Sequence, residues 1–167
     1  MKEDGNWGRR VPLKAEDLAE KLDSTRWARD CNWEETLKLC ERLLAYKLQP
    51  KQVIFAEGDA EPYMCFILTG KVSIFKTDAK DQVTKIATVV APQSLGEMCL
   101  IDGQPRSATA KTETEVLLAM LSYENFLKLA GRSPSVANKL LTKIAQMLSQ
   151  RLRATSGQLV DFLGEAI

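Results

Sequence analysis

The feature that most limits what this chain can fold into is a series of short apolar runs in residues 45–121. Residues 46–48, 53–55, 64–68, 72–75, 83–90 and 116–121 are dominated by β-branched, aromatic and aliphatic side chains. Runs of that length and composition read as strands. Pro50, Glu57-Gly58-Asp59, Thr69-Gly70-Lys71, residues 78–81 and Pro92 punctuate them as turns. Thr69-Gly70, between two alternating runs, predicts a tight hairpin in which glycine takes a positive φ. So many short strands imply a closed or double-sheet antiparallel architecture.

One stretch breaks the β texture. Residues 95–110, Leu-Gly-Glu-Met-Cys-Leu-Ile-Asp-Gly-Gln-Pro-Arg-Ser-Ala-Thr-Ala, open on a glycine and pass through about one turn of helix-compatible residues. They break at Asp102-Gly103 and present Pro105-Arg106-Ser107 before a small-residue strand. A short helix after Gly96 leaves its first amides unpaired, and glycine lets a ligand approach the backbone. Arg106 offers a planar fork matched to two phosphate oxygens, with the Ser107 hydroxyl beside it. Glu97 would repel a phosphate, but it suits a sugar hydroxyl, which donates to carboxylates in dinucleotide sites. An anion clamp with a ribose acceptor describes a nucleotide site. Taken singly, Glu97 could merely complement a helix dipole and Arg106 cap a loop.

Gly96 to Ile101 and Pro105 to Thr109 resemble the phosphate-binding cassette of cyclic-nucleotide-binding domains, of the catabolite-activator and kinase-regulatory-subunit type. Residues 55–59 and 66–72 are also similar to that family, and their glycines are expected to shape turns. The resemblance implies an antiparallel jelly roll, α+β but mainly β, with N-terminal helices and a long C-terminal dimerisation helix. It implies that Glu97 holds the ribose 2′-hydroxyl and Arg106 the exocyclic phosphate oxygens. Amides around Cys99 and Ala108 take the remaining phosphate contacts, Ser107 assists, and Gly96 and Met98 complete the cassette's ligand set.

Composition removes several rivals. The chain has 167 residues and no histidine, which excludes Ser–His triads and most zinc or non-haem iron sites. Catalytic residues and metal ligands are therefore expected to be absent. Lys and Arg number 23 against 22 Asp and Glu, so no nucleic-acid or membrane-surface partner is expected. Cys31, Cys40, Cys65 and Cys99 form no C-x-x-C pair and read as reduced thiols of a cytoplasmic protein. Cys99, at a helix start, is the one reactive-looking thiol; a small tolerated side chain is the blander reading. No stretch reaches transmembrane length and the N-terminus is not a signal peptide.

Outside the strands the texture is helical. Residues 1–10 are charged and expected to be loose. Residues 13–22 fit a short amphipathic helix, and Asn32 with Glu34 and Glu35 predicts the cap of a second, carrying Leu37, Leu39, Cys40, Leu43 and Leu44. Trp27 and Trp33 read as core or interface anchors. After Ser122 a helix over 123–130 is expected to end at Gly131, and Pro134 suits the first turn of the last helix. There Leu141, Leu148, Thr155 and Phe162 recur every seven residues, as do Ala145, Leu152, Leu159 and Ala166. Together they form a heptad seam that predicts a parallel coiled-coil homodimer.

Arg151 to Ser156 is similar to the dimerisation helix of the activator branch of the family. On that resemblance Thr155 bonds the adenine 6-amino group from its own chain and Ser156 from the partner's, which favours cyclic AMP over cyclic GMP. Gly157 follows directly and marks a place where the helix could fray. The expected organisation is an N-terminal helical extension over 1–44, a barrel with cassette (95–110) and short helix over 45–133, and a dimerisation helix over 134–167. No helix-turn-helix follows, so the expected function is a stand-alone cyclic-nucleotide sensor, with no cofactor and an unidentified effector protein as a possible partner. The alternatives are a dimeric scaffold with a vestigial site, which intact Glu97 and Arg106 disfavour, and an enzyme, for which no base–nucleophile pair is present.

Overall fold

Alternation along the central strands sets the layers. In the computed structural model, which describes residues 8–23, 25 and 27–165, the elements are β1 (Arg9–Val11), α1 (Ala15–Asp23), α2 (Trp33–Cys40), β2 (Leu44–Leu48), β3 (Val53–Phe55), β4 (Tyr63–Thr69) and β5 (Lys71–Thr77). Next come β6 (Val83–Val90), β7 (Ser94–Leu95), α3 (Glu97–Asp102), β8 (Thr109–Thr112), β9 (Val116–Ser122), α4 (Tyr123–Arg132) and α5 (Pro134–Glu165). A five-stranded sheet, β1-β2-β9-β4-β7, faces a four-stranded sheet, β3-β8-β5-β6, and the paired strands are antiparallel. The expected double-sheet antiparallel fold is the one observed.

Strands β4 and β9 are apolar on both faces because both faces are covered. Cys65 and Ile67, with Leu118 and Met120, point between the sheets and meet Val72, Val89 and Ala110. Met64 and Phe66, with Ala119 and Leu121, point the other way. They meet Leu18 and Leu22 of α1, Leu39 and Cys40 of α2, Leu129 of α4, and Val136, Leu140, Ile144 and Met147 of α5. The terminal helices thus share a core with the five-stranded sheet. Trp27 belongs to it, edge-on to Phe66 with centroids 5.1 Å apart, while Trp33 is 45% exposed.

Several local expectations are corrected. Thr69-Gly70 is not a hairpin: β4 pairs with β9 and β7, β5 with β6 and β8, so the bend carries the chain from one sheet to the other. Gly70 does have a positive φ, +90°, and a Cβ there would run into the Glu115 carbonyl. Arg9 and Arg10, expected to be loose, are in β1 opposite Lys47 and Tyr46, because the free edge of β2 offers them a ladder; residues 1–7 lie outside the described part. Helix α2 starts with the expected Asn32–Glu35 capping box but stops at Cys40. The amides of Arg42 and Leu43 turn back on Leu39 and Cys40, which frees Leu44 to pair with Met120. Helix α4 passes through Gly131 and ends at Arg132.

The last helix is continuous through Gly157. Its first half packs on the domain through Val136, Ala137, Leu140, Ile144 and Met147, with Leu148 beside them. From the seam, Leu152 and Leu159 are 69% and 57% exposed, and Thr155 is exposed. The Phe162 side chain and Ala166 lie outside the described residues.

Candidate functional site

Strand β7 is only two residues long, yet it aims the cassette. Ser94 and Leu95 pair with Phe66 and Cys65, which fixes the chain on the five-stranded sheet just before it turns. Gly96 takes φ +82° as the N-cap of α3, and Gly103 takes φ +65° as its C-cap. Two left-handed caps six residues of helix apart hold α3 as a short, sharply bounded turn. Inside it Glu97, Cys99 and Leu100 are buried, while Met98 is 46% exposed.

Arg106 lies beneath this turn. Its backbone is locked to the Gly58-Asp59 turn, Gly58 N donating to Arg106 O at 2.9 Å and Arg106 N to Asp59 O at 2.8 Å. Gly58 has φ +85°, so the second family-like segment shapes a turn that anchors the arginine. The side chain is 4% exposed and its guanidinium stands 4.3 Å from the Phe55 ring centre and 4.2 Å from that of Tyr63. Its Nη1 donates to Gly96 O at 2.7 Å and Nη2 to Glu61 O at 2.9 Å. The fork is therefore organised around two carbonyl oxygens, and its Nε has no partner among the described residues. A Cβ on Gly96 would stand 2.8 Å from Arg106 Nη1, so the glycine is required for this approach. The Cys99 thiol also donates to Glu61 O, at 3.6 Å.

Glu97 is 1% exposed. Its Oε1 pairs with Nη1 of Arg151 from α5, and Arg151 Nη2 donates to Ser94 O at 3.2 Å. Its Oε2 is buried with no partner among the described residues. A buried carboxylate oxygen without a donor is expensive, and such atoms mark places where a ligand or water belongs. The Glu97–Arg151 pair joins the cassette to α5, and the sequence reading missed it. The available signal was Arg151 four residues before Thr155, which puts both on one helix face about 6 Å apart along the axis.

The remaining expected residues divide. Ser107 is exposed, and its carbonyl accepts from Lys76 at 2.7 Å. Lys76 also pairs with Glu57 and holds that carboxyl below its ordinary range. Ala108 is buried at the entry to β8. Thr155 and Ser156 are exposed on α5, Thr155 one turn past Arg151. Cys99 and Arg106 thus meet at the Glu61 carbonyl, with Glu97 following Gly96 at the start of α3, while Ser107 and Thr155 are exposed, Thr155 on the Arg151 face of α5. Burial pushes the Cys65 thiol, beneath Arg106, up to about 12 against the pull of the guanidinium. All four cysteines are free thiols. A cavity of about 960 Å³ lies behind the Phe55–Tyr63 pair, bordered by Ile54, Glu61, Met120 and Lys128. It shares those rings with Arg106, but Glu97, Ser107 and Thr155 do not line it.

Among the described residues, no helix is long and apolar enough to cross a membrane. The chain is 29% identical over 126 residues, 72% of its length and 54% of the other's, to a CRP-like cAMP-activated global transcriptional regulator of Mycobacterium tuberculosis. It is 35% identical over 100 residues, 60% of its length and 44% of the other's, to a cyclic AMP receptor protein of Thermus thermophilus. The chain spans about half the length of these curated relatives. Among solved structures, a cyclic nucleotide-binding domain from Methylobacillus flagellatus superposes with a TM-score of 0.82 at 28% identity, covering 91% of this chain and 87% of that one. The family model described as "Cyclic nucleotide-binding domain" matches residues 46–133. With the cassette geometry, the sheet order and that match in agreement, the chain belongs to the cyclic nucleotide-binding domain family.

Proposed function

We propose that this chain is a cyclic-AMP sensor that signals as a homodimer and performs no catalysis of its own. The observation that carries the reading is Glu97 Oε2, an acceptor oxygen in a side chain 1% exposed that has no donor among the described residues. A ribose 2′-hydroxyl supplies the missing donor. Arg106 lies across Gly96 from it, and an anionic phosphate is a stronger acceptor than the two carbonyls its fork now serves. The first-turn amides of α3 and the Ser107 hydroxyl complete the anion site.

Adenine preference rests on Thr155 and, from the partner, Ser156. Two of the relatives are named for cyclic AMP, which supports that choice. The exposed Leu152 and Leu159 on the second half of α5 support the two-stranded seam. Signalling follows from the Glu97–Arg151 pair: a ribose hydroxyl on Oε2 shares the carboxylate with Arg151 on Oε1, which couples the ligand to what holds α5 and shifts the populations of its postures. Titration calorimetry with cyclic AMP, 2′-deoxy cyclic AMP and cyclic GMP tests this directly. Cyclic AMP is expected to bind most tightly; equal affinity for the 2′-deoxy analogue removes the ribose assignment, and no binding removes the reading.

A further inference from the structure

The far end of the cassette is held from outside by a pair of charged side chains. Lys76 of β5 donates to Ser107 O at 2.7 Å and also pairs with Glu57. Glu57 is itself fixed: its Oε2 accepts from Thr77 N at 3.1 Å, and its own amide donates to Thr109 Oγ1 at 2.9 Å. Ser107 and Ala108 lie between Arg106 and the start of β8, outside every helix and strand. The Gly58-Asp59 turn grips the Arg106 backbone on one side of this gap, and Thr109 enters the ladder with Phe75 on the other. Within the gap, the bond from Lys76 sets the direction of the Ser107 carbonyl.

That bond reaches further than one carbonyl. The Ser107–Ala108 peptide is trans, and a trans peptide is planar with its C=O and N–H on opposite sides. Holding Ser107 O toward Lys76 therefore turns the Ala108 N–H the opposite way. The Lys76 and Glu57 side chains are 47% and 27% exposed, whereas Ala108 is buried, so the amide is turned from the outer surface. The charges of the pair cancel. A lysine that drew phosphate by charge alone would gain nothing from a carboxylate beside it, so orientation is the role that the pairing fits. A pair this exposed also contributes little to folding.

We propose that Lys76 is a positioning residue of the anion site, acting through the Ser107–Ala108 peptide to aim the Ala108 N–H at the nucleotide phosphate. This role rests on the nucleotide reading of the cassette. Glu57 keeps the ammonium on the carbonyl and, through Thr77 and Thr109, ties β5 to the start of β8. Two strands outside the cassette thus set its phosphate end, while Glu97 governs the ribose end. Loss of Lys76 loosens the phosphate contact and leaves the contact to the 2′-hydroxyl as it was.

The test is titration calorimetry of the full chain with cyclic AMP and its 2′-deoxy analogue, on the wild type, Lys76→Met, Lys76→Arg and Glu57→Gln. Thermal unfolding of each unliganded variant and the nitrogen-15 amide spectrum accompany it. Lys76→Met should weaken both nucleotides by about threefold to tenfold, the scale of one hydrogen bond, with their ratio unchanged. Lys76→Arg, which can still donate to the carbonyl and the carboxylate, should recover most of the loss. Cyclic AMP should move the Ala108 amide proton downfield in the wild type, and by less in Lys76→Met. Glu57→Gln should weaken binding as well. A wild type that binds no cyclic nucleotide removes the nucleotide reading and this role with it; tight wild-type binding that Lys76→Met leaves unchanged removes this role alone. A loss that persists in Lys76→Arg, an unfolding midpoint that falls in step with affinity, or an Ala108 shift of wild-type size in Lys76→Met makes the lysine a surface partner of Glu57 only and overturns the proposal. Tighter binding by Glu57→Gln makes the lysine a direct cation for phosphate and also overturns it.

Discussion

At the residue scale the site depends on two buried charges handled in opposite ways. Arg106 has found acceptors, the carbonyls of Gly96 and Glu61, and two ring faces that match its flat guanidinium. Glu97 has one partner and one spare oxygen. Arg106→Ala is expected to weaken cyclic-AMP binding at least about tenfold, since a charge-assisted bond contributes roughly 1.5–3 kcal/mol. Arg106→Lys should recover little of it, because a point charge matches neither the fork nor the stack; calorimetry on variants with native circular dichroism checks both. Glu97→Gln should narrow the gap between cyclic AMP and its 2′-deoxy analogue, as the acceptor keeps its place but loses its charge. An undiminished gap would leave Glu97 as no more than the partner of Arg151. The thiols give a separate check. Cys40, Cys65 and Cys99 are buried, and burial pushes Cys40 and Cys65 up to about 12. Cys31, half-buried and only moderately raised, should be the one thiol a disulfide reagent modifies quickly at pH 8, with all four reacting after denaturation.

At the scale of elements, seven strands, β2 to β6 with β8 and β9, and the cap of α2 were legible because each leaves a local pattern: apolar or small-residue runs between turn residues, or Asn32 followed three residues on by Glu35. What escaped is non-local. Strand β7 has two residues and no period to detect, and β1 exists because β2 offers an open edge. The bend at Gly70 reads as a hairpin in one dimension, since glycine between strands looks alike whether the strands pair or part. Its real role makes a sharp prediction. Gly70→Ala places a Cβ against the Glu115 carbonyl at a φ of +90°. Backbone strain alone costs about 1–3 kcal/mol, so urea unfolding should show a loss of that size or more. Gly157→Ala should do the reverse: nothing lies within 4 Å of the added methyl, the helix is unbroken there, and alanine is favoured by about 1 kcal/mol. Slower amide exchange over the second half of α5 would register it; unchanged exchange would mean the glycine is already held in place by a partner helix.

At the scale of the whole molecule, the proposed function makes α5 the element that ties assembly to ligand choice. Its first half, from Leu140 through Ile144 and Met147, packs on the domain, and Arg151 closes that contact on Glu97; past it Leu152, Thr155 and Leu159 are exposed. The seven-residue repeat is visible in the sequence, whereas the residues of α5 that pack on the domain acquire meaning only beside Ser94 and Glu97. Thr155 is where the two demands conflict. In a coiled-coil seam its hydroxyl is a stability cost that an aliphatic side chain would remove. As an adenine acceptor the same hydroxyl supplies selectivity, because a site built around a hydrogen bond discriminates by leaving a group unpaired when the wrong base binds. Thr155→Leu should therefore dimerise more tightly, bind cyclic AMP roughly fivefold to tenfold more weakly, and favour it less over cyclic GMP, while Arg106 retains most of the remaining affinity. Sedimentation analysis of the variant gives the dimer constant, and calorimetry gives both nucleotide affinities. Tighter dimers with an unchanged cyclic-AMP preference would make Thr155 a register residue alone and send the search for base selectivity back to the cassette, where Ser107 is the one exposed hydroxyl beside the arginine.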